Sequence, residues 1–155
     1  MNLLFADGFM CGSNPSPIGG GYTITDADGG LLARRVIAQA GFTNNEAELR
    51  GVMRAILLAS QGDTVLTDSR VALGWIRRGC SRARSDLNPQ LRIYQERVRS
   101  KKIELRWVPR ERNLAGLFNE QQAAEQKRSR QRPAGNHRFA DKNLPDLAEK
   151  APLGG

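Results

Sequence analysis

The strongest constraint on the fold is a change of hydrophobic period near residue 43. Before it, residues 2–6, 21–26 and 31–38 have the short apolar or alternating pattern of strands, with a hairpin signal around Gly29. After it, residues 44–60 carry apolar side chains at i, i+3 and i+4 spacing, which is typical of an amphipathic helix. Three strands in an antiparallel meander should therefore precede the first helix.

The rest of the chain alternates between helical and strand-like segments. The pattern predicts a strand over 64–67, helices over 69–78 and 87–99, a strand over 102–108 and a last helix over 113–126. The resulting order is βββαβααβα. Because helices interleave with the later strands, we expect an α/β fold in which helices flank a five-stranded mixed sheet.

Positive charge is spread unevenly along the 155 residues, whose net charge is +8. Residues 1–126 carry 17 Lys/Arg against 13 Asp/Glu, whereas the much shorter segment 127–155 carries 7 against 3. We predict a folded domain over 1–126 and a basic, disordered tail over 127–155. Excess positive charge favours polyanionic partners, because neutralising phosphates releases their counterions.

Cysteine usage and hydropathy indicate where such a chain works. Cys11 and Cys80 lie far apart without metal-ligand spacing, so we expect no disulfide and a reducing, cytoplasmic environment. The apolar run of four residues at 3–6 is too short for a signal peptide, and no apolar segment is long enough to cross a membrane. We expect a soluble monomer without a membrane partner.

Three acidic residues stand at the ends of predicted elements. Asp7 follows the first strand, Asp68 follows the fourth, and Glu48 lies in the first turns of the helix over 44–60. Such positions commonly converge at one edge of an α/β sheet. For Asp7 the alternative is a plain turn with Gly8, and for Asp68 it is a helix cap.

Glu48 is the most informative of the three acids, as a comparison with Glu46 indicates. Glu46 has Arg50 four residues later, which predicts an ordinary ion pair on an outer helix face. Glu48 has Val52 four residues later, so it should turn towards the sheet. Clustered carboxylates repel one another unless a cation lies among them, and hard divalent ions prefer carboxylate oxygens. Together with a basic surface, this favours a nuclease that uses metal-assisted hydrolysis.

Several motifs occur in an order and at spacings that resemble type 1 ribonuclease H. The resemblance runs from residue 2 to about residue 120 and rests on ADG at 6–8, NP at 14–15, GGGY at 19–22, TNNEAEL at 43–49, TDS at 67–69 and WVPRERN at 107–113. It implies the ribonuclease H-like fold. It also implies hydrolysis of the RNA strand of RNA/DNA hybrids with Mg²⁺ or Mn²⁺.

The resemblance assigns roles residue by residue. Asp7, Glu48 and Asp68 match the first three members of the family's D-E-D-D set of metal-binding, catalytic carboxylates. Contacts to the substrate's 2′-OH groups and phosphates are implied for Gly8, Cys11, Asn14, Thr43, Asn44 and Asn45. Helix capping is the alternative role for Thr43 and Asn44, and both roles can hold together.

The chain departs from the family at the fourth carboxylate. The usual N-x-x-A-D after WVPRE is replaced by the run over 113–117, which reads NLAGL. Glu120, one turn beyond Gly116, is our candidate for the fourth catalytic acid, and Glu111 is a weaker one. The family's usual loop histidine is also absent, since the only histidine, His137, lies in the tail.

These observations leave two hypotheses of different classes. The first is an active ribonuclease H, and the alternative is a catalytically weak or inactive module that binds RNA/DNA hybrid or RNA. In either case, the loop over 77–84 and the tail over 127–138 are predicted docking surfaces for nucleic acid. Trp75 and Trp107 follow the apolar pattern of their elements and are expected in the core.

Overall fold

The computed structural model describes residues Met1–Arg132. Its strands and helices are β1 Leu3–Met10, β2 Gly19–Thr25, β3 Leu31–Ala38, α1 Asn44–Leu58, β4 Thr64–Thr67, α2 Arg70–Arg78, α3 Asn88–Ser100, β5 Glu104–Trp107 and α4 Leu114–Gln131. Short 3₁₀ turns precede α3 and α4. The part of the predicted tail from residue 133 onward, including His137, lies outside the described residues.

The five strands form one mixed sheet in the order β3-β2-β1-β4-β5. The first three strands pair antiparallel, whereas β1, β4 and β5 run parallel to one another. The predicted α/β fold, the five-stranded mixed sheet and the opening meander are therefore confirmed. Helical crossovers between β1, β4 and β5 are required because parallel neighbours cannot be joined by a tight turn.

Strand alternation separates two apolar clusters, one on each face of the sheet. On one face, Leu4, Ala6 and Val65 belong to the large core that contains residues of α1, α2 and α3. On the other face, Phe5 and Leu66 pack with Val108 and the start of α4. Because successive side chains of a strand point to opposite faces, Asp7 and Asp68 share the second face with Phe5 and Leu66.

The last helix is longer than its sequence pattern predicts. It continues to Gln131, beyond the predicted end at residue 126. Its final part lacks an apolar stripe but contains Ala, Glu, Gln, Lys and Arg, which have high intrinsic helix propensity. The chain divides into two units, Met1–Gln122 and Ala123–Gly155. The predicted division at 126/127 stays a prediction.

The two tryptophans differ in their surroundings. Trp75, on α2, is buried in the large core, as predicted. The expectation for Trp107 is wrong, because 39% of this residue is exposed. Trp107 ends β5, an edge strand whose residues are all at least partly exposed, so the apolar alternation there does not reflect a buried face.

Within the described residues 1–132, no helix is both long and apolar enough to cross a membrane.

Candidate active site

Asp7 and Asp68 are brought together by the register of two parallel strands. Phe5 of β1 is aligned with Leu66 of β4, so each aspartate comes two residues after an aligned pair and on the same face. The prediction that Asp7 follows the first strand is wrong. β1 continues to Met10, because it keeps its pairing with β2 after its pairing with β4 has ended. The plain-turn alternative for Asp7 is thereby excluded, and Asp7 lies where β1 and β4 separate.

Glu48 approaches the same place from the start of α1. Its Oε2 accepts a hydrogen bond of 3.1 Å from the backbone N–H of Gly8. The helix can come this close because Gly8 has no side chain. A Cβ there would lie 2.5 Å from Glu48 N and 2.6 Å from the carbonyl carbon of Ala47, far inside van der Waals contact. Gly8 therefore allows α1 to pack closely against β1, and its N–H orients the carboxylate of Glu48.

The three predicted acids form one compact group. One carboxylate oxygen of each of Asp7, Glu48 and Asp68 lies within 4.8 Å of the other two. Glu48 is buried, and the two aspartates are partly buried. The three residues that the sequence predicts as the centre of the site therefore lie together in the structure.

Burial opposes charge on two members of this group. It is the main cause that raises the pKa of Glu48 to about 9, and the neighbouring charges of Asp7 and Asp68 raise it further. Burial also raises the pKa of Asp7 to about 6, although a hydrogen bond from Asn119 acts in the opposite direction. Without a compensating cation, the site therefore disfavours its own fully ionised form.

These residues fit a divalent metal ion. The donors are all carboxylate oxygens, which hard cations such as Mg²⁺ and Mn²⁺ prefer. A cation among them would offset the repulsion and the burial cost that raise both pKa values. Among the described residues, Arg110 is the cation whose charge lowers the pKa of both Asp7 and Glu48, and its side chain is largely exposed.

Two carboxamides orient the aspartates, and the sequence reasoning missed both. Asn113, fully buried, donates from Nδ2 to Ala6 O at 2.9 Å and to Asp68 Oδ1 at 3.0 Å. Asn119 donates from Nδ2 to Asp7 Oδ2 at 2.8 Å. The place of Asn113 within WVPRERN could have marked it. Nothing in the local pattern of α4 distinguishes Asn119.

The proposed fourth acid is not part of the group of three. Glu120 lies largely exposed on α4, with Oε1 3.6 Å from Arg110 Nε, although its charge still raises the pKa of Asp7. Glu111 is exposed in the 3₁₀ turn before α4. At Gly116, also on α4, an added Cβ would lie 3.5 Å from Asp7 Cγ and 3.6 Å from Oδ2.

Most of the residues implied in substrate binding lie at the N-terminus of α1 or contact it. Thr43 is the N-cap and accepts from Glu46 N at 3.2 Å, which confirms the capping role. Asn14 Oδ1 accepts from Asn44 N at 3.0 Å, so the loop after β1 is tied to the helix start. Asn45 is exposed next to them, whereas Cys11 lies at the start of that loop, with its N–H bonded to Gly19 O at 3.0 Å.

One arginine of the predicted docking loop has a structural role instead. Arg84 forms ion pairs with Glu46 and Asp86. The predicted outer-face pairing of Glu46 with Arg50 is wrong, since Glu46 is only 6% exposed and turns to Arg84. A buried carboxylate needs a partner of opposite charge, and the loop supplies one. The Arg84–Glu46 pair thus fastens the loop to α1.

Trp107 contacts the backbone of one of the three acids. Its indole Nε1–H donates to the backbone carbonyl of Asp68 at 3.1 Å. The guanidinium of Arg70 stacks 4.1 Å from the centre of the Trp107 ring. Arg70 is the first residue of α2, so Trp107 contacts both Asp68 and the start of the helix that follows it.

No protein-family model matches the chain. Solved structures do. The N-terminal ribonuclease H domain of a Mycobacterium tuberculosis protein, solved as a fusion with maltose-binding protein, is 31% identical, with a TM-score of 0.52. The match covers 74% of this chain and 91% of that one. A ribonuclease H1 isolated from compost by a metagenomic approach is 22% identical over 72% of this chain and 86% of its own, with a TM-score of 0.52, and supports the fold. Identity at this level over nearly a whole ribonuclease H domain, together with the three grouped acids, shows that the chain belongs to the type 1 ribonuclease H family.

Proposed function

We propose that the protein hydrolyses the RNA strand of RNA/DNA hybrids and requires Mg²⁺ or Mn²⁺. The observation that carries the proposal is the meeting of Asp7, Glu48 and Asp68 within 4.8 Å in a member of this family. These three residues would hold the metal. A divalent cation bound there would activate a water molecule and stabilise the oxygen that leaves the phosphodiester.

The side chains around the acids supply orientation. Gly8 N–H fixes one oxygen of Glu48, Asn113 fixes Asp68, and Asn119 fixes Asp7. Each carboxylate thus keeps an oxygen that its protein donor does not use. Preset ligands favour binding, because less side-chain freedom is lost when the cation and the substrate arrive.

Substrate recognition is proposed for the N-terminus of α1 and the loop after β1. The positive end of the helix dipole attracts phosphate at such a terminus. The side chains of Asn14, Thr43, Asn44 and Asn45, with Cys11 and Gly8 nearby in sequence, offer hydroxyl and amide groups suited to the 2′-OH that distinguishes RNA from DNA. We further propose a monomer in a reducing, cytoplasmic environment, which the free Cys11 and Cys80 support.

The test is cleavage of an end-labelled RNA/DNA hybrid with Mg²⁺ or Mn²⁺. We expect metal-dependent cutting of the RNA strand that Asp68→Asn reduces by at least about 10²-fold, since it removes a carboxylate ligand. Asp28→Asn is the matched control, because it makes the same change at an exposed acid in the β2–β3 hairpin. Activity that survives in Asp68→Asn would contradict the proposal.

A second function is favoured by the absence of the family's fourth carboxylate from the group of Asp7, Glu48 and Asp68. α4 presents Gly116, and no carboxylate, to Asp7. A module that binds hybrid without cutting it would have this appearance. In that case the unchanged protein would retain a labelled hybrid in a mobility-shift assay but leave the RNA strand intact with either metal. The fourth catalytic role of Glu120 stays a prediction, and Glu120→Gln in the cleavage assay tests it.

A further inference from the structure

We propose that Asn119 completes the metal site of this chain as a positioning residue, in place of a fourth carboxylate. The inference rests on the proposed function and adds a residue to it. The carboxamide of Asn119 is held by two hydrogen bonds. Asn119 Nδ2 donates to Asp7 Oδ2 at 2.8 Å, and Asn119 Oδ1 accepts from Thr23 Oγ1 at 2.6 Å.

The two bonds determine which way the amide faces. A carboxylate can only accept, so the NH₂ group of Asn119 must face Asp7 when that residue is ionised. Its oxygen then faces Thr23, whose hydroxyl can donate. Thr23 is fully buried, and it lies directly opposite Asp7 in the pairing of β1 with β2. The sheet therefore builds a fixed Thr23–Asn119–Asp7 chain of hydrogen bonds.

This chain of bonds serves the ionised form of Asp7. The Asn119 amide occupies Oδ2, and the other oxygen of Asp7 remains for a cation. Hydrogen bonds to ligating carboxylates from residues beyond the ligand set typically change metal affinity by about 10- to 100-fold. Asn119 lies one helical turn after Gly116, so both residues are on the same face of α4. Of these two residues, Asn119 has a side-chain amide that reaches Asp7, and Gly116 has no side chain.

Glu120 is a poorer candidate for this role. Its side chain is exposed and lies near Arg110, and it is not in the group of three acids. Gly116, by contrast, has room for a side chain aimed at Asp7. The nearest atoms to an added Cβ are 3.5–3.7 Å away, which is ordinary van der Waals contact. A fourth carboxylate can thus be introduced at residue 116, where it should strengthen metal binding, whereas the loss of Asn119 should weaken it.

The experiment measures binding of Mn²⁺ alone, by electron paramagnetic resonance or calorimetry, without nucleic acid. We expect Asn119→Ala to weaken Mn²⁺ binding by about 10-fold or more. Gln121→Ala is the matched control, because it removes an exposed carboxamide from the same helix, and it should change the affinity by less than about threefold. Gly116→Asp should tighten binding, because it adds an anionic ligand. Thr23→Val should weaken binding in the unchanged chain but not in the Asn119→Ala background, as expected for residues acting through one another.

Thermal unfolding in EDTA separates positioning from stability. If Asn119→Ala lowers metal-free stability but leaves Mn²⁺ affinity unchanged, Asn119 is a structural residue only, and the proposal is overturned. An equal loss of affinity in Gln121→Ala would overturn it as well. Loss of Mn²⁺ binding in Asn119→Ala, but not in the control variant, would support the role of Asn119 even if the unchanged protein cut no hybrid. The outcome is therefore independent of the proposed catalysis.

Discussion

Glu48 is a residue at which stability and metal binding make opposite demands. Burial among other acids raises its pKa to about 9, far above the ordinary 4.5. Between these two values the folded protein binds a proton that the unfolded chain has released. The free energy of unfolding of the metal-free protein therefore falls as pH rises through this window. The raised pKa of Asp7, about 6 instead of 3.8, acts in the same direction at lower pH.

We expect Glu48→Gln to stabilise the metal-free protein at neutral and alkaline pH. The neutral amide avoids the cost of a buried charge, so the gain should reach about 1–3 kcal/mol near pH 8 and shrink towards pH 5. Urea unfolding in EDTA across this range measures the effect, with Asp28→Asn as the control. Added Mn²⁺ should stabilise the unchanged chain more than the variant. A ligand that binds the folded state raises its stability, and the variant lacks one of the three carboxylates that would bind the ion. A variant no more stable than the unchanged chain at the alkaline end would refute this account.

The ion pairs of Arg84 belong to the scale of the elements, since they join the loop before α3 to α1. Its partner Glu46 is 6% exposed, which makes the pair structurally costly to break. The neighbouring Arg82 is exposed and has no ion pair with any described residue. The loop therefore contains one cation that holds it in place, Arg84, and one that is available to a polyanion, Arg82.

Replacing these two arginines should separate the two roles. Arg84→Met leaves the buried Glu46 without its partner and should cost about 1–3 kcal/mol of unfolding free energy, less than a fully buried pair would, since Arg84 is partly exposed. Arg82→Met should stay within about 0.5 kcal/mol but weaken binding of a labelled hybrid at low salt. Urea unfolding and a fluorescence binding titration make the comparison. Equal stability of the two variants would show that the pair contributes nothing.

At the scale of elements, sequence reasoning succeeded where one residue pattern had one structural cause. Period-two strands and the period of α1 predicted the order and the mixed sheet, and the motifs predicted all three clustered acids. It failed where long-range packing decides. The end of β1 depends on its pairing with β2, the exposure of Trp107 depends on the edge position of β5, and the partner of Glu46 comes from a distant loop. Asn119 was missed because its role requires knowing what faces α4.

For the whole molecule, the positive charge of the C-terminal segment is concentrated at one place. Its excess comes from Lys127, Arg128, Arg130 and Arg132, with no acid among residues 127–132, whereas residues 133–155 carry three Lys/Arg and three Asp/Glu. Residues 127–131 are helical, as part of α4. Electrostatic binding to nucleic acid should therefore depend on the end of this helix and not on the residues that follow it.

We expect replacement of all four of these cations by glutamine to weaken hybrid binding and flatten its salt dependence. The slope of log K against log salt should fall in magnitude by up to about 3–4, since each phosphate contact contributes roughly 0.7–0.9. Truncation after Arg132 should leave the slope unchanged. Binding titrations in EDTA at several salt concentrations prevent cleavage and measure both variants. A slope that changes only on truncation would place the electrostatic contacts beyond residue 132.

The close approach of α1 to Gly8 has a consequence for how sequences of this family drift. In a library of variants selected only for accumulating in the cell, residue 8 would stay glycine, because any side chain there meets the helix backbone at about 2.5 Å. The acids around it would be free to change, and replacement of Glu48 would even be enriched. A lineage released from the need to cut would therefore lose its carboxylates before its glycine. A glycine retained at this position would therefore be a mark of the fold, and the acids would be the mark of the activity.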